Sequence, residues 1–388
     1  MRSLVLAVFV SLASWAQAQP PGELIFPAQD KHCHGSSVVE CPNGDLLAVW
    51  FYGSGERTAD DVLVQGARLK KGDTAWSPVF VAADTPGFPD CNPVLYIDAK
   101  QRLWLIWVPV LANSWEDCLL KYRRAEDYQG EGAPKWSWQD VIVLKPGDEF
   151  KKGLETGFDE LSPEEGLWAA YAPQYTKQII AAADDKLKRQ LGWMTRIHPL
   201  TLESGRILLP LYSDGFNVSL AAISDDTGET WRASAPMVGM GPIQPTLVPR
   251  KDGSIAAYFR DSGGAPQRVM MSTSADNGDT WSVARDTELP NPSSSLEAVA
   301  LKDGRWVLVH NDTEDGRHSL AVAMSDDEGK TWKWKRHIEK AEPGKGSFAY
   351  PSMIQSADGN IHITYTHNID EKKSIKHVVF APDWVAGQ

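Results

Sequence analysis

The chain has 388 residues, 42% apolar and 23% charged, and its 39 basic against 51 acidic residues leave a net charge of −12. The apolar content excludes a disordered chain, and the acidity argues against nucleic-acid binding, which needs clustered Lys and Arg to meet phosphates. Sixteen Trp and 31 Gly point to an all-β protein rich in turns, with a carbohydrate ligand that stacks on aromatic faces.

Residues 1–18 carry one Arg, an apolar run from Leu4 to Ala13 and a small-x-small site at Ala16-Gln17-Ala18. This is the pattern of a secretory signal peptide. The run is shorter than the roughly 20 apolar residues that span a bilayer, and no later segment qualifies. The expectation is a single mature domain over 19–388, secreted or periplasmic. Cys33, Cys41, Cys91 and Cys118 follow; their spacing fits no zinc motif, and it is compatible with buried thiols or with a structural bridge.

A repeat organises the rest. In chain order, His34-Gly35-Ser36-Ser37, Asn92-Pro93-Val94-Leu95, His198-Pro199-Leu200, Gln244-Pro245-Thr246-Leu247, Ser294-Ser295-Leu296-Glu297 and Tyr350-Pro351-Ser352-Met353 open six units. Turn signals and strand-like runs follow each opening, as in Asp252-Gly253-Ser254-Ile255. Six such units predict a six-bladed β-propeller. The stretch of about 145–190 breaks the period, and its Glu-, Ala- and Lys-rich parts predict a partly helical insertion between blades two and three. A second motif, S-x-D-x-G-x-T-W, spans Ser224 to Trp231, Ser274 to Trp281 and Ser325 to Trp332. It reads as a hairpin turn: the Asp accepts backbone N–H bonds and the Gly supplies a positive φ. Its Asp residues are therefore expected to be structural.

These copies resemble the Asp-boxes, or BNR repeats, of the sialidase superfamily. The resemblance covers about residues 30–385 and implies an exported exo-glycosidase acting on a terminal acidic sugar. In that family three arginines clamp the sugar carboxylate, a Tyr paired with a Glu is the nucleophile, and an Asp is the acid/base. Carried over, Tyr350 matches the nucleophile and Asp61, with Asp60 beside it, the acid/base. Arg268 and Arg317 match clamp positions, with Arg260 as a near alternative. The first arginine is missing, since His32-Cys33-His34-Gly35 stands there. Gln244 replaces the Glu that activates the Tyr, and Glu297 is the candidate to compensate.

First-strand starts line the funnel of a propeller, so His34, Asn92, His198, Gln244, Glu297 and Tyr350 are expected to converge. Arg196 faces the same way as His198, two residues on. Glu56 and Arg57 sit in the blade-one loop near Asp61. Trp115, Trp168 and Trp193 read as sugar platforms or as packing. Two other functions compete: a polysaccharide lyase or rhamnose-uronate glycosidase working through His and Tyr, and a non-catalytic glycan-binding propeller. No metal cluster, nucleotide motif or cofactor is indicated, and the expected partner is a glycan.

Overall fold

A computed structural model of the protein describes residues 19–161 and 167–387. The signal-peptide pattern over 1–18 and the side chain of Trp168 lie outside the described residues. Six sheets, each with a run of four strands hydrogen-bonded in sequence, make the six blades of a propeller. Blade one begins with His32–Glu40, blade two with Asp90–Ile97, blade four with Pro242–Pro249, blade five with Glu297–Ala300 and blade six with Gly346–Gln355. The first strand of blade three is split into Met194–Thr195 and Leu200–Thr201, both paired with Ile207–Ser213. Near-continuous apolar runs such as Leu103–Pro109 and Val218–Ser224 are buried on both faces, as a central blade strand requires.

The ring is closed by its own first strand. Gly22–Leu24 pairs with Lys372–Phe380 in antiparallel register, Glu23 opposite His377, and so completes blade six. A chain of polar contacts fastens it: Glu23 Oε1 accepts from Trp76 Nε1 at 3.0 Å and meets His377 Nδ1 at 2.8 Å, and His377 Nε2 lies 3.0 Å from His362 Nδ1.

Each Asp-box is the expected turn. Asp226 accepts from the backbone N–H groups of Glu229 and Thr230 at 3.0 and 2.9 Å and from the Thr230 hydroxyl at 2.6 Å. Gly228 is at φ 85°, and a Cβ there would come within 2.5 Å of the Trp104 ring of blade two. Gly278 stands in the same relation to Leu208 of blade three, at 2.7 Å. The box glycine is thus needed twice, for its backbone and for the close approach of the preceding blade.

Between blades two and three lie helices Asp148–Leu161, Leu167–Ala182 and Lys186–Gln190. The first buries Phe150, Leu154 and Phe158; Phe150 meets Trp193 and Phe216 edge-on at 5.8 and 5.1 Å. All four cysteines are free and buried. Among the described residues no helix is long and apolar enough to cross a membrane.

Candidate functional site

The first strands of four blades share one irregularity. Their registers shift between His34 and Ser37, Cys91 and Val94, Ile243 and Thr246, and Ala349 and Ser352. Within these bulges Gly35, Asn92, Gln244 and Tyr350 adopt φ of 61°, 50°, 54° and 56°. A side chain at positive φ costs of the order of 1–3 kcal/mol, and such strain collects where a bulge re-aims a residue for function. Asn92, Gln244 and Tyr350 all face a cavity of about 870 Å³ at the mouth of the funnel.

Tyr350 is the centre of that cavity. Its hydroxyl accepts from Arg260 at 2.7 Å and from Gln244 Nε2 at 3.3 Å. The guanidiniums of Arg196 and Arg317 stand 5.1 and 5.3 Å from its ring centroid. Burial pushes the Tyr350 phenol up, but Arg260, Arg317 and the Gln244 bond outweigh it and leave the group below its ordinary value. Gln244 also donates to the Tyr212 hydroxyl at 3.2 Å, which Asn92 Nδ2 reaches at 3.1 Å. Tyr212, held up by burial and by nearby Asp214, is its counterpart across the amide. Gln244 Oε1 is buried without a partner.

The His34 ring lies tilted against Tyr350, with centroids 4.0 Å apart, and its Nδ1 lies 2.8 Å from the Thr366 hydroxyl. Burial first, then Arg317, drives it well below the usual histidine range. Among the described residues three carboxyl groups line the wall: half-buried Glu56 from the blade-one loop, Glu116, and Asp214 after the second strand of blade three. Burial raises Glu56 even against Arg57, Arg317 and Arg260. Asp214 is raised as well, but it is open to solvent at the mouth, which weakens the push. The insertion contributes Tyr175, Gln178, Ile179 and Lys188 to the wall, and the Tyr175 hydroxyl accepts from Asn217 at 2.6 Å.

The structure thus brings together Tyr350, Arg260, Arg317, Gln244, Asn92 and His34 from the sequence-based set. Others stand elsewhere. Asp61 is outside the cavity: it accepts from the Ser54 hydroxyl at 2.6 Å and the Ser54 N–H at 2.9 Å, faces Lys31 at 3.7 Å and is held low. Asp60 bonds Asn113 at 3.2 Å, also off the cavity. Arg268 is spent on Glu314 at 2.5 Å, because the third strand of its blade turns it outward. Arg57 lies 5.5 Å over Trp115, which itself lines the cavity. Trp193 is packing.

Below the cavity floor, Arg196 donates to the carbonyls of Ser36 and Pro351 at 3.1 and 3.0 Å. His198 Nδ1 meets Glu297 Oε1 at 2.6 Å, and its Nε2 lies 3.0 Å from the Val38 carbonyl. Glu297 Oε2 accepts from the Met353 N–H at 2.7 Å. These three tie blades one, three, five and six together, and none of them lines the cavity that Gln244 faces.

Sequence reasoning missed Tyr212, Asp214 and Lys373. Tyr212 and Arg260 sit near the ends of second strands, opposite Met194 and Ile243. That position recurs in every blade, and it would have found Tyr212.

Against known proteins, the BNR repeat-like domain family matches residues 44–153 and 182–363. An anhydrosialidase from Macrobdella decora is 23% identical over 182 residues, which are 42% of this chain and 23% of that protein. The leech intramolecular trans-sialidase bound to 2,7-anhydro-Neu5Ac superposes with a TM-score of 0.68 at 14% identity, over 95% of this chain and 71% of that one. The intramolecular trans-sialidase of Ruminococcus gnavus gives 0.66 at 14%, over 92% and 96%. A protein of unknown function from Dyadobacter fermentans gives 0.67 at 16%, over 93% and 98%. With a repeat-family match over most of its length and six blades in the same architecture, the chain belongs to the BNR-repeat family of sialidase-like six-bladed propellers.

Proposed function

We propose that the protein is an exported glycoside hydrolase that removes a terminal acidic sugar, with Tyr350 as nucleophile and Glu56 as acid/base in place of Asp61. The observation that carries this reading is the Tyr350 oxygen, which accepts from Arg260 and Gln244, while the Arg196 and Arg317 guanidiniums stand 5.1 and 5.3 Å from its ring centroid. The guanidiniums favour ionisation of this phenol, and it gives its proton to solvent before it attacks as the phenolate. Arg260 and Arg317, on the cavity wall, hold the sugar carboxylate by charge-assisted bonds. The Tyr350 oxygen attacks the anomeric carbon as the glycosidic bond breaks, and Glu56 gives its proton to the leaving oxygen. A water deprotonated by the Glu56 carboxylate then displaces the tyrosyl group, which restores both residues. The names of similar proteins make terminal sialosides the first substrates to try.

A second reading has one observation in its favour. The Tyr350 phenol accepts from Arg260 and an amide rather than from a carboxylate-bound partner, and in its ionised form it is also a competent base, which suits a lyase that removes the proton next to a uronate carboxylate.

The test is to incubate the mature protein with sialylated, uronate-terminated and rhamnose-uronate oligosaccharides and weigh the products. Product masses that sum to substrate plus water support the hydrolase. A sum equal to the substrate, with a new ultraviolet-absorbing double bond, supports the lyase; the same sum without absorbance marks intramolecular transfer. Binding without cleavage of any panel member would overturn both in favour of a glycan-binding propeller.

A further inference from the structure

The cavity has a second positively charged corner, away from the Arg260–Arg317 wall, and the backbone register shows how it is built. Ile361–Ile369 and Lys372–Phe380 of blade six are joined by a two-residue turn in which Asp370 and Glu371 are at φ 50° and 64°. That geometry fixes the pairing of the two strands. Asn368 falls directly opposite Lys373, and on the other side Ser347 opposes Asn368 and Ala349 opposes Thr366. Residues two apart share a face, so Ser347, Ala349, Thr366, Asn368 and Lys373 all present one surface. All five line the cavity. His32 and His34 of blade one close the corner, with ring centroids 5.7 Å apart, and His34 in turn lies 4.0 Å from Tyr350. His34 therefore stands between this corner and Tyr350.

Apart from the Thr366 hydroxyl, which meets His34 Nδ1, three polar groups here are unspent. The neighbouring lysines are paired: Lys372 with Asp30 at 2.5 Å, Lys376 with Glu339 at 2.5 Å, Lys31 with Asp61 at 3.7 Å. Lys373 has no carboxylate within ion-pair distance among the described residues, although its backbone is fixed by two bonds with Gln29, at 2.8 and 3.0 Å. His32 Nε2 and Asn368 Oδ1 are buried and have no hydrogen-bond partner among the described residues. Burial, and then the charge of Lys373, pushes His32 down to about 4, so the ring is neutral at working pH and offers one N–H. The oxygen and nitrogen of an amide are interchangeable by a flip, so Asn368 can turn its NH₂ inward. A neutral sugar hydroxyl gives no reason to keep an unpaired ammonium beside two orphaned polar side chains, because each costs free energy until a partner arrives.

We propose that Lys373, His32 and Asn368 form an oxyanion subsite, and that the natural ligand carries a second negatively charged group (a sulfate or phosphate ester, or a second carboxylate) besides the one held at Arg260 and Arg317. Only the assignment of that first group rests on the acidic-sugar reading. Lys373 supplies the charge, and the imidazole and amide N–H groups supply direction.

The experiment needs no glycan. The mature protein is acylated with a limiting amount of an N-hydroxysuccinimide acetate ester, and each lysine is followed by peptide mass spectrometry in the presence of inorganic sulfate, inorganic phosphate or acetate. Lys372, one residue away and ion-paired outside the cavity, is the internal control. An anion that seats at the corner slows acylation of Lys373 about tenfold at roughly tenfold excess over its dissociation constant, and leaves Lys372 unchanged. Protection by sulfate or phosphate alone assigns an ester, and equal protection by acetate assigns a carboxylate. A Lys373 rate that none of the three anions slows overturns the subsite. Lys373→Gln, which removes no bond of the fold, must abolish the protection that sulfate gives to thermal unfolding at this corner; a variant that keeps it also overturns the subsite. If the glycan panel shows no binding while Lys373 is still protected, the acidic-sugar reading fails and the subsite stands. Cleavage with an unprotected Lys373 is the reverse.

Discussion

Arg260, at the end of the second strand of blade four, donates to the Tyr350 hydroxyl of blade six at 2.7 Å. The bond crosses the funnel, so the position of the Tyr350 oxygen is set by two blades rather than by its own strand alone. Tyr350→Phe removes the acceptor and leaves Arg260 and Gln244 without it. Activity is expected to fall by roughly a thousandfold or more, while the fold loses about 1–2 kcal/mol. Steady-state rates alongside thermal unfolding separate the two; a folded variant with unchanged kcat removes Tyr350 from the chemistry.

Gln244→Glu tests how Tyr350 is activated. A carboxylate between the phenols of Tyr350 and Tyr212 opposes a second negative charge and raises the Tyr350 phenol. The acid limb of the pH–rate profile then moves to higher pH and the rate at neutral pH drops. A rate gain at neutral pH would instead show that the site lacks a base.

In the proposed mechanism Glu56 acts in its protonated form, and burial raises it above the usual glutamate range. The rate is therefore expected to fall as pH rises through that raised value, which makes Glu56 the source of the alkaline limb. Glu56→Gln should lower kcat/KM by about a hundredfold to ten-thousandfold and abolish that limb, with a smaller loss on a nitrophenyl glycoside whose leaving group needs no proton. Asp61→Asn should leave the profile unchanged. The reverse pattern would return the acid/base role to Asp61.

Asp226 and Asp327 sit at about 2 against an ordinary 3.8; hydrogen bonds from their box turns outweigh burial at Asp226 and lead at Asp327. A depressed carboxylate stabilises the fold above its unfolded value, and that contribution is lost as pH falls through its folded one. Stability from the boxes is thus complete above about pH 4 and is lost toward pH 2. Asp226→Ala should cost ~1 kcal/mol at neutral pH and flatten the acid side of the stability curve, leaving kcat untouched. Chemical denaturation at several pH values reads this, and a folded but inactive variant would contradict it.

Glu297→Ala strands His198 and the buried Met353 N–H together. A loss of about 3–5 kcal/mol is expected, partly recovered by Glu297→Gln, which can still accept from Met353. Loss of activity in Glu297→Gln with full stability would restore Glu297 as a catalytic candidate.

The propeller was legible because its signal repeats: the box spacing and the six polar openings are properties of the chain that survive without any contact. The site was legible only in its first-strand ring. Asn92, Gln244 and Tyr350 could be read because a bulge at a repeated position aims them inward. Arg268 could not be told from Arg260 by sequence, since the choice depends on which strand of blade four turns a guanidinium toward Tyr350 and which toward Glu314. Asp61 and Glu56 lie in one loop, and only its folding decides that Asp61 caps Ser54 while Glu56 faces the cavity. Lys373 comes from a hairpin that no motif marks, and its importance lies in the partner it lacks.

Closure by Gly22–Leu24 also sets a timetable. This strand leaves the ribosome early, but its partner, Lys372–Phe380, is made only after some 350 further residues. Contacts so distant in sequence form late, since their loop entropy must be met before they repay it. Until then blade six has an open edge, with main-chain donors and acceptors that any extended peptide could pair. Yield on expression should thus depend on how fast the two ends meet, and the Glu23–His377 contact is the step at which a nascent chain becomes a ring.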